Sequence, residues 1–201
     1  MKRPFLADRH MTSITFIRHG ESEANANPSI RFEATYNEDD VPLSARGREQ
    51  AAACYTSTLA GNTLVWSSPM TRALQTTKII LTGTEKQFIV DPRLREMKWP
   101  IFATMDEKSL HKANTKQYGM YHYKGEGFES GEEVVGRLRV FLQENMTAMA
   151  GHHNIIVSHE IVMRAFMFLQ SRDPIVFDTL EFKNCESLHW MGWVTELLTK
   201  E

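Results

Sequence analysis

The stretch ITFIRHGESEANAN, residues 14–27, decides the fold because a short apolar run stops abruptly at an arginine and a histidine. The run from Ile14 to Ile17 has the composition of a buried strand. Arg18 and His19 follow it directly and supply groups that bind anions or transfer protons. In an open parallel sheet, functional residues lie beyond the carboxyl ends of the strands. The stretch therefore predicts a strand that delivers a histidine to a functional site.

The rest of the chain alternates between short apolar runs and stretches with helical periodicity. Strands are predicted at 14–17, 64–66, 88–90 and 155–157, and helices around 45–60, 69–81, 132–149 and 160–170. One more strand and a tail are predicted between Phe182 and Val194. This alternation predicts an α/β fold with three layers, in which helices cover both faces of a mostly parallel, doubly wound sheet.

Capping residues mark the starts of two predicted helices. Ser68 is expected to cap the helix of residues 69–81, with Pro69 at its first position. Ser130 and Glu133 have the spacing of a capping box in front of an apolar periodic run. We therefore expect both helices to begin at these side chains.

Composition restricts the classes of protein to which the chain can belong. With 201 residues, 42% of them hydrophobic, one domain over residues 1–201 is expected, with an insertion around 99–129 that shapes a substrate mouth. A net charge of -2 without long like-charged blocks argues against nucleic-acid and membrane partners. Two cysteines and no continuous apolar segment at the N-terminus predict a cytoplasmic protein. The sequence indicates no oligomeric state.

Three of the predicted strands end in polar side chains. These ends are Arg18-His19, Ser67-Ser68-Pro69 leading to Arg72, and Ser158-His159. If the three strands are neighbours, two arginines and two histidines meet near several helix N-termini. Arginine forks and unpaired backbone N–H groups are well suited to phosphate, and an imidazole can act as a nucleophile without a metal. The sequence therefore predicts a phosphate site at this edge of the sheet.

Five segments in this order also carry a recognisable pattern. They are Arg18-His19-Gly20-Glu21-Ser22 with Asn25, the helix start at 42–51, the segment 67–76 with Arg72, Leu94-Arg95-Glu96, and Val157-Ser158-His159. Together they resemble the motifs of the histidine phosphatase superfamily, in its phosphoglycerate mutase-like branch. The resemblance extends from about residue 14 to 190 and implies the three-layer α/β fold of that family.

The resemblance implies a role for each matched residue. His19 would attack phosphorus and form a phosphohistidine, and Glu96 would protonate the leaving oxygen and then activate water. Arg18, Arg72 and His159 would hold the phosphoryl oxygens. Asn25 would lie close to the phosphate. This chemistry implies no metal and no other cofactor. The implied function is a metal-independent phosphatase that acts on a small phosphorylated substrate.

Two alternatives remain open at the level of sequence. One is a phosphoglycerate-type mutase that returns the phosphoryl group to a bound intermediate. Mutases of this branch generally have a longer chain with an ordered tail, and the short tail after Trp193 favours hydrolysis. The other is a noncatalytic module that binds phosphoproteins, against which the intact histidines and the matched acid argue.

The chain departs from the family pattern at two places. Glu160 follows His159 where the family usually has glycine. This carboxylate is expected either to face away and complement the helix dipole, or to restrict the substrate by its charge. The acid Glu96 lacks the glycine that is common a few residues later, and without the resemblance it would be assigned to a surface cluster of charges.

Overall fold

The structure is a computed structural model that describes residues 11–33, 35–54, 59, 61–100 and 104–199. Its strands are β1 (Thr12–Arg18), β2 (Thr63–Ser67), β3 (Ile89–Val90), β4 (His153–Ser158) and β5 (Ser187–Gly192). Its helices are α1 (Glu23–Ala26), α2 (Ala45–Ala53), α3 (Thr71–Ile80), α4 (Met105–Tyr118), α5 (Gly131–Met149), α6 (Glu160–Ser171), α7 (Pro174–Thr179) and α8 (Val194–Thr199). None of these helices is both long and apolar enough to cross a membrane.

The described strands form one sheet in the order β3-β2-β4-β1-β5. The first four of these run parallel to their neighbours, and β5 pairs antiparallel with β1. The predicted mostly parallel α/β sheet is therefore confirmed. Arg18 lies opposite Ser158, and Ser67 lies opposite Val157. The three polar strand ends are thus adjacent at one edge, as the sequence predicts.

Apolar side chains cover both faces of the sheet because neighbouring strand residues point to opposite sides. Ile14 and Phe16 face α5 and α6, where Phe166 packs on Phe16 with ring centroids 4.7 Å apart. Ile17 belongs to a second cluster with residues of α3 such as Ile80. Burying each such side chain is worth about 1.5–3 kcal/mol. Two apolar layers therefore fix the sheet between helices, and the polar site is left at its edge.

The start of α3 differs from the prediction. The helix begins at Thr71 after Met70, so Ser68 does not cap it and Pro69 is not its first residue. The Ser68 hydroxyl instead accepts a hydrogen bond from the backbone N–H of Met70 and contacts His159. Ser68, which the sequence pattern predicts as a helix cap, therefore makes a buried contact with His159 instead.

The other predicted helices agree with the structure to different extents. The capping box of Ser130 and Glu133 is confirmed at the start of α5. The predicted helix 45–60 is too long, because α2 ends at Ala53 with Cys54 as its C-cap. The remainder of that prediction falls on residues 55–58 and 60, which lie outside the described residues, apart from Leu59.

Four helices and one strand boundary escape sequence periodicity, and the first of these helices is α1, which has only four residues. Helix α4 lies in the predicted insertion around 99–129, and its side chains are exposed or half-buried, so it has no apolar stripe to detect. Helices α7 and α8 are only six residues long each. The predicted final strand is confined to β5, and α8 occupies the expected tail. Residues 101–103 of the insertion lie outside the described part of the chain.

A close contact between two glycines holds the end of β1 against the start of α2. A Cβ atom on Gly47 would lie 1.9 Å from the carbonyl oxygen of Glu21, and one on Gly20 would lie 2.4 Å from the carbonyl oxygen of Gly47. Two backbone segments meet here with no space for a side chain. The segment that follows His19 is therefore positioned by direct backbone packing.

We expect Gly47→Ala to lower the free energy of unfolding by about 1–3 kcal/mol, because its methyl group would displace backbone atoms. Gly136→Ala is the matched control, since a Cβ at this position of α5 would meet nothing within 4 Å. Alanine there should stabilise the helix by about 0.5–1 kcal/mol. Urea unfolding followed by circular dichroism measures both changes. Equal changes for the two variants would contradict this account.

Candidate active site

His19 lies directly after β1, and only 3% of its surface is exposed. Its backbone N–H donates to the carbonyl of Ser158 at 3.0 Å and so ties it to β4. Its Nδ1 lies 2.6 Å from the carbonyl oxygen of Gly20, which can only accept, so Nδ1 carries the proton. Nε2 is left with its lone pair and accepts a hydrogen bond from Nε of Arg72 at 3.1 Å. Nε2 is therefore the ring nitrogen that carries the lone pair.

The surroundings of His19 keep its ring neutral. Burial, reinforced by the positive charges of Arg72 and Arg18, holds the pKa of His19 well below its usual value. The hydrogen bond to Gly20 opposes this shift. A neutral imidazole keeps its lone pair under acidic conditions in which an exposed histidine would be protonated.

Arg72 is the second residue of α3, and its side chain is also buried. Besides the bond to His19, its Nη1 donates to the carbonyl of Glu38 at 2.8 Å and its Nη2 to Oε1 of Glu38 at 2.6 Å. All three guanidinium nitrogens thus have acceptors. The planar, forked guanidinium of arginine suits a phosphoryl group. Arg72 can therefore bind phosphate through Nη2 if the carboxylate of Glu38 leaves that nitrogen.

His159 follows β4 and has no exposed surface. Its ring centroid lies 5.0 Å from that of His19, and its Nε2 lies 2.7 Å from Oγ of Ser68. Since Ser68 Oγ accepts from the N–H of Met70, its own proton is available for Nε2 of His159. In the tautomer in which Ser68 donates to Nε2, the proton lies on Nδ1, which has no hydrogen-bond partner among the described residues.

In that tautomer, Nδ1 of His159 is an unused donor in a buried position beside His19. Burial followed by the charge of Arg72 lowers the pKa of His159 well below its usual value, so the ring is neutral. A buried polar atom without a partner costs free energy unless a ligand or water satisfies it. His159 is therefore placed to donate to a phosphoryl oxygen.

Glu96 lies just after the short 3-10 turn Pro92–Leu94 and is half-buried. Its Oε1 accepts from the backbone N–H of Met97 at 2.8 Å. Burial raises the pKa of Glu96, although that hydrogen bond and the charges of Arg72 and Arg18 act in the opposite direction. A carboxyl with a raised pKa retains its proton more readily and can act as a general acid.

Arg18 is occupied by other groups of the protein. Its Nη1 lies 2.8 Å from Oε2 of Glu160 and also donates to the carbonyl of Phe182. Oε1 of Glu160 accepts from Arg164 as well. The Glu160 carboxylate bridges half-buried Arg18 and buried Arg164, because each guanidinium requires a negative partner. Glu160 lies in the first turn of α6, as expected for an acid that complements the helix dipole. An effect of its charge on the choice of substrate stays a prediction.

Asn25 is the third residue of α1, where it completes a capping box. Its Oδ1 accepts from the backbone N–H of Ser22 at 3.2 Å and from the Ser22 hydroxyl at 3.0 Å. The side-chain oxygen is thus used to build the turn that follows His19. A contact between Asn25 and phosphate stays a prediction.

Three further residues contact the site without being predicted for it. Ser68 orients His159, Glu38 binds Arg72, and Asn184 donates to the carbonyl of His19 at 3.1 Å. The Ser-Pro pair at 68–69 favours a helix cap, and Glu38 lies in an irregular stretch, so local pattern points elsewhere for both. No group of three or more His, Cys, Asp or Glu side chains that could hold a metal is present among the described residues.

Relatives of known sequence align along nearly the whole chain. A probable phosphoglycerate mutase of Yersinia enterocolitica is 27% identical over 202 residues, and the alignment covers 92% of each chain. A probable phosphoglycerate mutase of Proteus mirabilis is 25% identical over 205 residues, again with 92% of each chain covered. The chain is thus similar to phosphoglycerate mutase-like proteins along its length.

Solved structures share the fold at lower identity. The alpha-ribazole phosphatase from Shigella flexneri matches with a TM-score of 0.72 at 21% identity, over 90% of this chain and 94% of that chain. A mycobacterial glucosyl-3-phosphoglycerate phosphatase matches with a TM-score of 0.72 at 20% identity, over 89% of each chain. These matches show a common three-dimensional architecture.

The sequence profile of the histidine phosphatase superfamily (branch 1) matches residues 14–192. This range contains both strand ends that carry the histidines and also Arg72 and Glu96. The match covers most of the 201 residues. The chain therefore belongs to the histidine phosphatase superfamily, branch 1.

Proposed function

We propose that this protein is a metal-independent phosphatase that hydrolyses a small phosphomonoester in the cytoplasm through a phosphohistidine on His19. One observation supports this most strongly. The neutral His19 presents the lone pair of Nε2 in a buried site where Arg72 lies 3.1 Å away and the unpartnered Nδ1 of His159 is close by. This arrangement combines a nucleophile with two groups that stabilise negative charge on a phosphoryl group.

In the first step, Nε2 of His19 attacks phosphorus and the bond from phosphorus to the ester oxygen breaks. The leaving oxygen takes the proton of the Glu96 carboxyl and departs as an alcohol. The phosphorylated ring is an imidazolium, and its Nδ1–H remains hydrogen-bonded to the carbonyl of Gly20. Arg72 and His159 stabilise the charge on the phosphoryl oxygens.

In the second step, the carboxylate of Glu96 takes a proton from water while that water attacks phosphorus. The bond between phosphorus and Nε2 breaks, and the electron pair returns to the ring of His19. Inorganic phosphate leaves, and Glu96 again carries the proton for the next cycle. Both steps use one acid-base group and one nucleophile, so the cycle needs no metal.

Two other activities use the same residues to different degrees. A phosphoglycerate-type mutase is suggested by the names of the sequence relatives and shares the first step. Its substrates carry a carboxylate beside the phosphate, whereas Arg18 and Arg72 are each already paired with a glutamate. A module that only binds phosphoproteins has no use for a half-buried carboxyl with a raised pKa. The pairing of both arginines and the raised pKa of Glu96 therefore favour hydrolysis over the other two activities.

We expect His19→Ala to lower the rate of phosphate release by about 10³-fold or more, because the nucleophile is lost. Arg72→Ala should lower it by about 10²–10³-fold, the usual effect of losing one charge-stabilising group. Phosphate release from a panel of sugar phosphates, nucleotides, phosphoglycerates and an aryl phosphate, in excess chelator, measures both. His152→Ala is the control, since His152 lies before β4 at the opposite edge of the sheet. Activity that survives in His19→Ala or disappears with chelator would contradict the proposal.

The pH dependence should report both titrating groups. His19 must be neutral and Glu96 protonated, so kcat/KM should fall at low pH only below the lowered pKa of His19 and at high pH above the raised pKa of Glu96. Glu96→Gln should remove the fall at high pH and slow an alkyl phosphate far more than an aryl phosphate, whose leaving group needs no proton. Glu132→Gln, an exposed acid in the first turn of α5, is the control. Equal losses on the two esters would exclude Glu96 as the acid.

A further inference from the structure

The side chain of Glu38 occupies the face of Arg72 that a phosphoryl group would use. Its Oε1 lies 2.6 Å from Nη2 of Arg72, and its backbone carbonyl accepts from Nη1 at 2.8 Å. The third nitrogen, Nε, donates to His19. A phosphoryl group that binds Nη2 of Arg72 therefore competes with the Glu38 carboxylate for this nitrogen.

Glu38 reaches this position from the surface of the protein. The side chain of Arg72 is only 4% exposed, whereas that of Glu38 is 36% exposed. Its Oε2 accepts a hydrogen bond from the hydroxyl of Tyr36, and burial together with this contact raises the pKa of Tyr36 to about 12. The carboxylate thus has one oxygen on the buried arginine and the other held by a neighbour in its own segment.

The segment around Glu38 is also anchored to the N-terminus of α3. The backbone N–H of Thr71 donates to the carbonyl of Asp39 at 2.9 Å, and the Asp39 carboxylate lies 2.6 Å from Nη2 of Arg95. These bonds keep the backbone beside Arg72 in place when the side chain of Glu38 turns away. A displaced carboxylate therefore stays close to the bound substrate.

We propose that Glu38 determines substrate specificity by competing with the phosphoryl group for Arg72 and by excluding substrates that carry a second negative charge. The inference rests on the proposed function of the same site. Once displaced, the carboxylate repels a carboxylate or second phosphate on the substrate, and it accepts hydrogen bonds from hydroxyl groups. The second arginine offers little compensation, because Arg18 is paired with Glu160. The preferred substrates are phosphomonoesters of neutral, hydroxylated alcohols.

Glycerol 3-phosphate and 3-phosphoglycerate test this selectivity, because they differ mainly in a hydroxymethyl group against a carboxylate. Wild-type protein should prefer glycerol 3-phosphate. Glu38→Gln keeps the shape of the side chain and removes its charge, so the preference should shift towards 3-phosphoglycerate by about tenfold, the effect of one nearby charge. Glu33→Gln, an exposed acid in the same segment, should leave the preference unchanged. An unchanged preference in Glu38→Gln would overturn the proposal.

A binding measurement separates this inference from the proposed reaction. Calorimetric titration with orthovanadate needs no turnover, and Glu38→Gln should bind it about tenfold more tightly than wild type because the internal competitor has lost its charge. Unchanged affinity would overturn the role of Glu38 whatever the enzyme hydrolyses. If neither protein released phosphate from any ester while the variant bound vanadate more tightly, the proposed reaction would fail and the competition at Arg72 would stand.

Discussion

The site depends on the pair of hydrogen bonds that fixes the ring of His19. The carbonyl of Gly20 takes the proton on Nδ1, and Nε of Arg72 faces the lone pair on Nε2 at 3.1 Å. Three parts of the fold must be in place for this: the end of β1, the close backbone packing of Gly20 on Gly47, and the first turn of α3. Because each part belongs to the buried framework, the ring of the proposed nucleophile is oriented before any substrate binds.

The arginines around this ring have carboxylate partners within the protein. Arg72 is paired with Glu38 and Arg18 with Glu160, while His19 and His159 are kept neutral by burial. Burying unpaired arginines would cost several kcal/mol, so the paired carboxylates stabilise the folded site. In the proposed role, the same carboxylates oppose anions that approach the site. The stability of the site and its proposed selectivity would therefore have a common electrostatic origin.

The sequence predicts the parts of the site that follow strand ends, and it misses those that depend on tertiary contacts. Strands β1, β2 and β4 are buried on both faces, so their apolar runs are conspicuous, and the polar residues after them mark one edge. The role of Ser68 is different, because its partner His159 lies 91 residues away and the local Ser-Pro pattern favours a cap. Helix α4 has no buried face, so periodicity cannot detect it. Of the two partners of Glu160, Arg164 lies four residues along the same helix and follows from helical spacing. Arg18 is brought to Glu160 only by the folded chain.

In the proposed mechanism, the phosphoryl group is transferred to Nε2 of His19 before water releases it as phosphate. Rapid mixing with a hydrolysed phosphomonoester, alkaline quenching and phosphorus NMR or mass spectrometry of the digested protein test it directly. We expect one acid-labile phosphoryl group on Nε2 of His19, formed no later than the first phosphate is released. Phosphate release without any phosphoprotein, or a phosphoryl group on Nδ1 or on another residue, would contradict it.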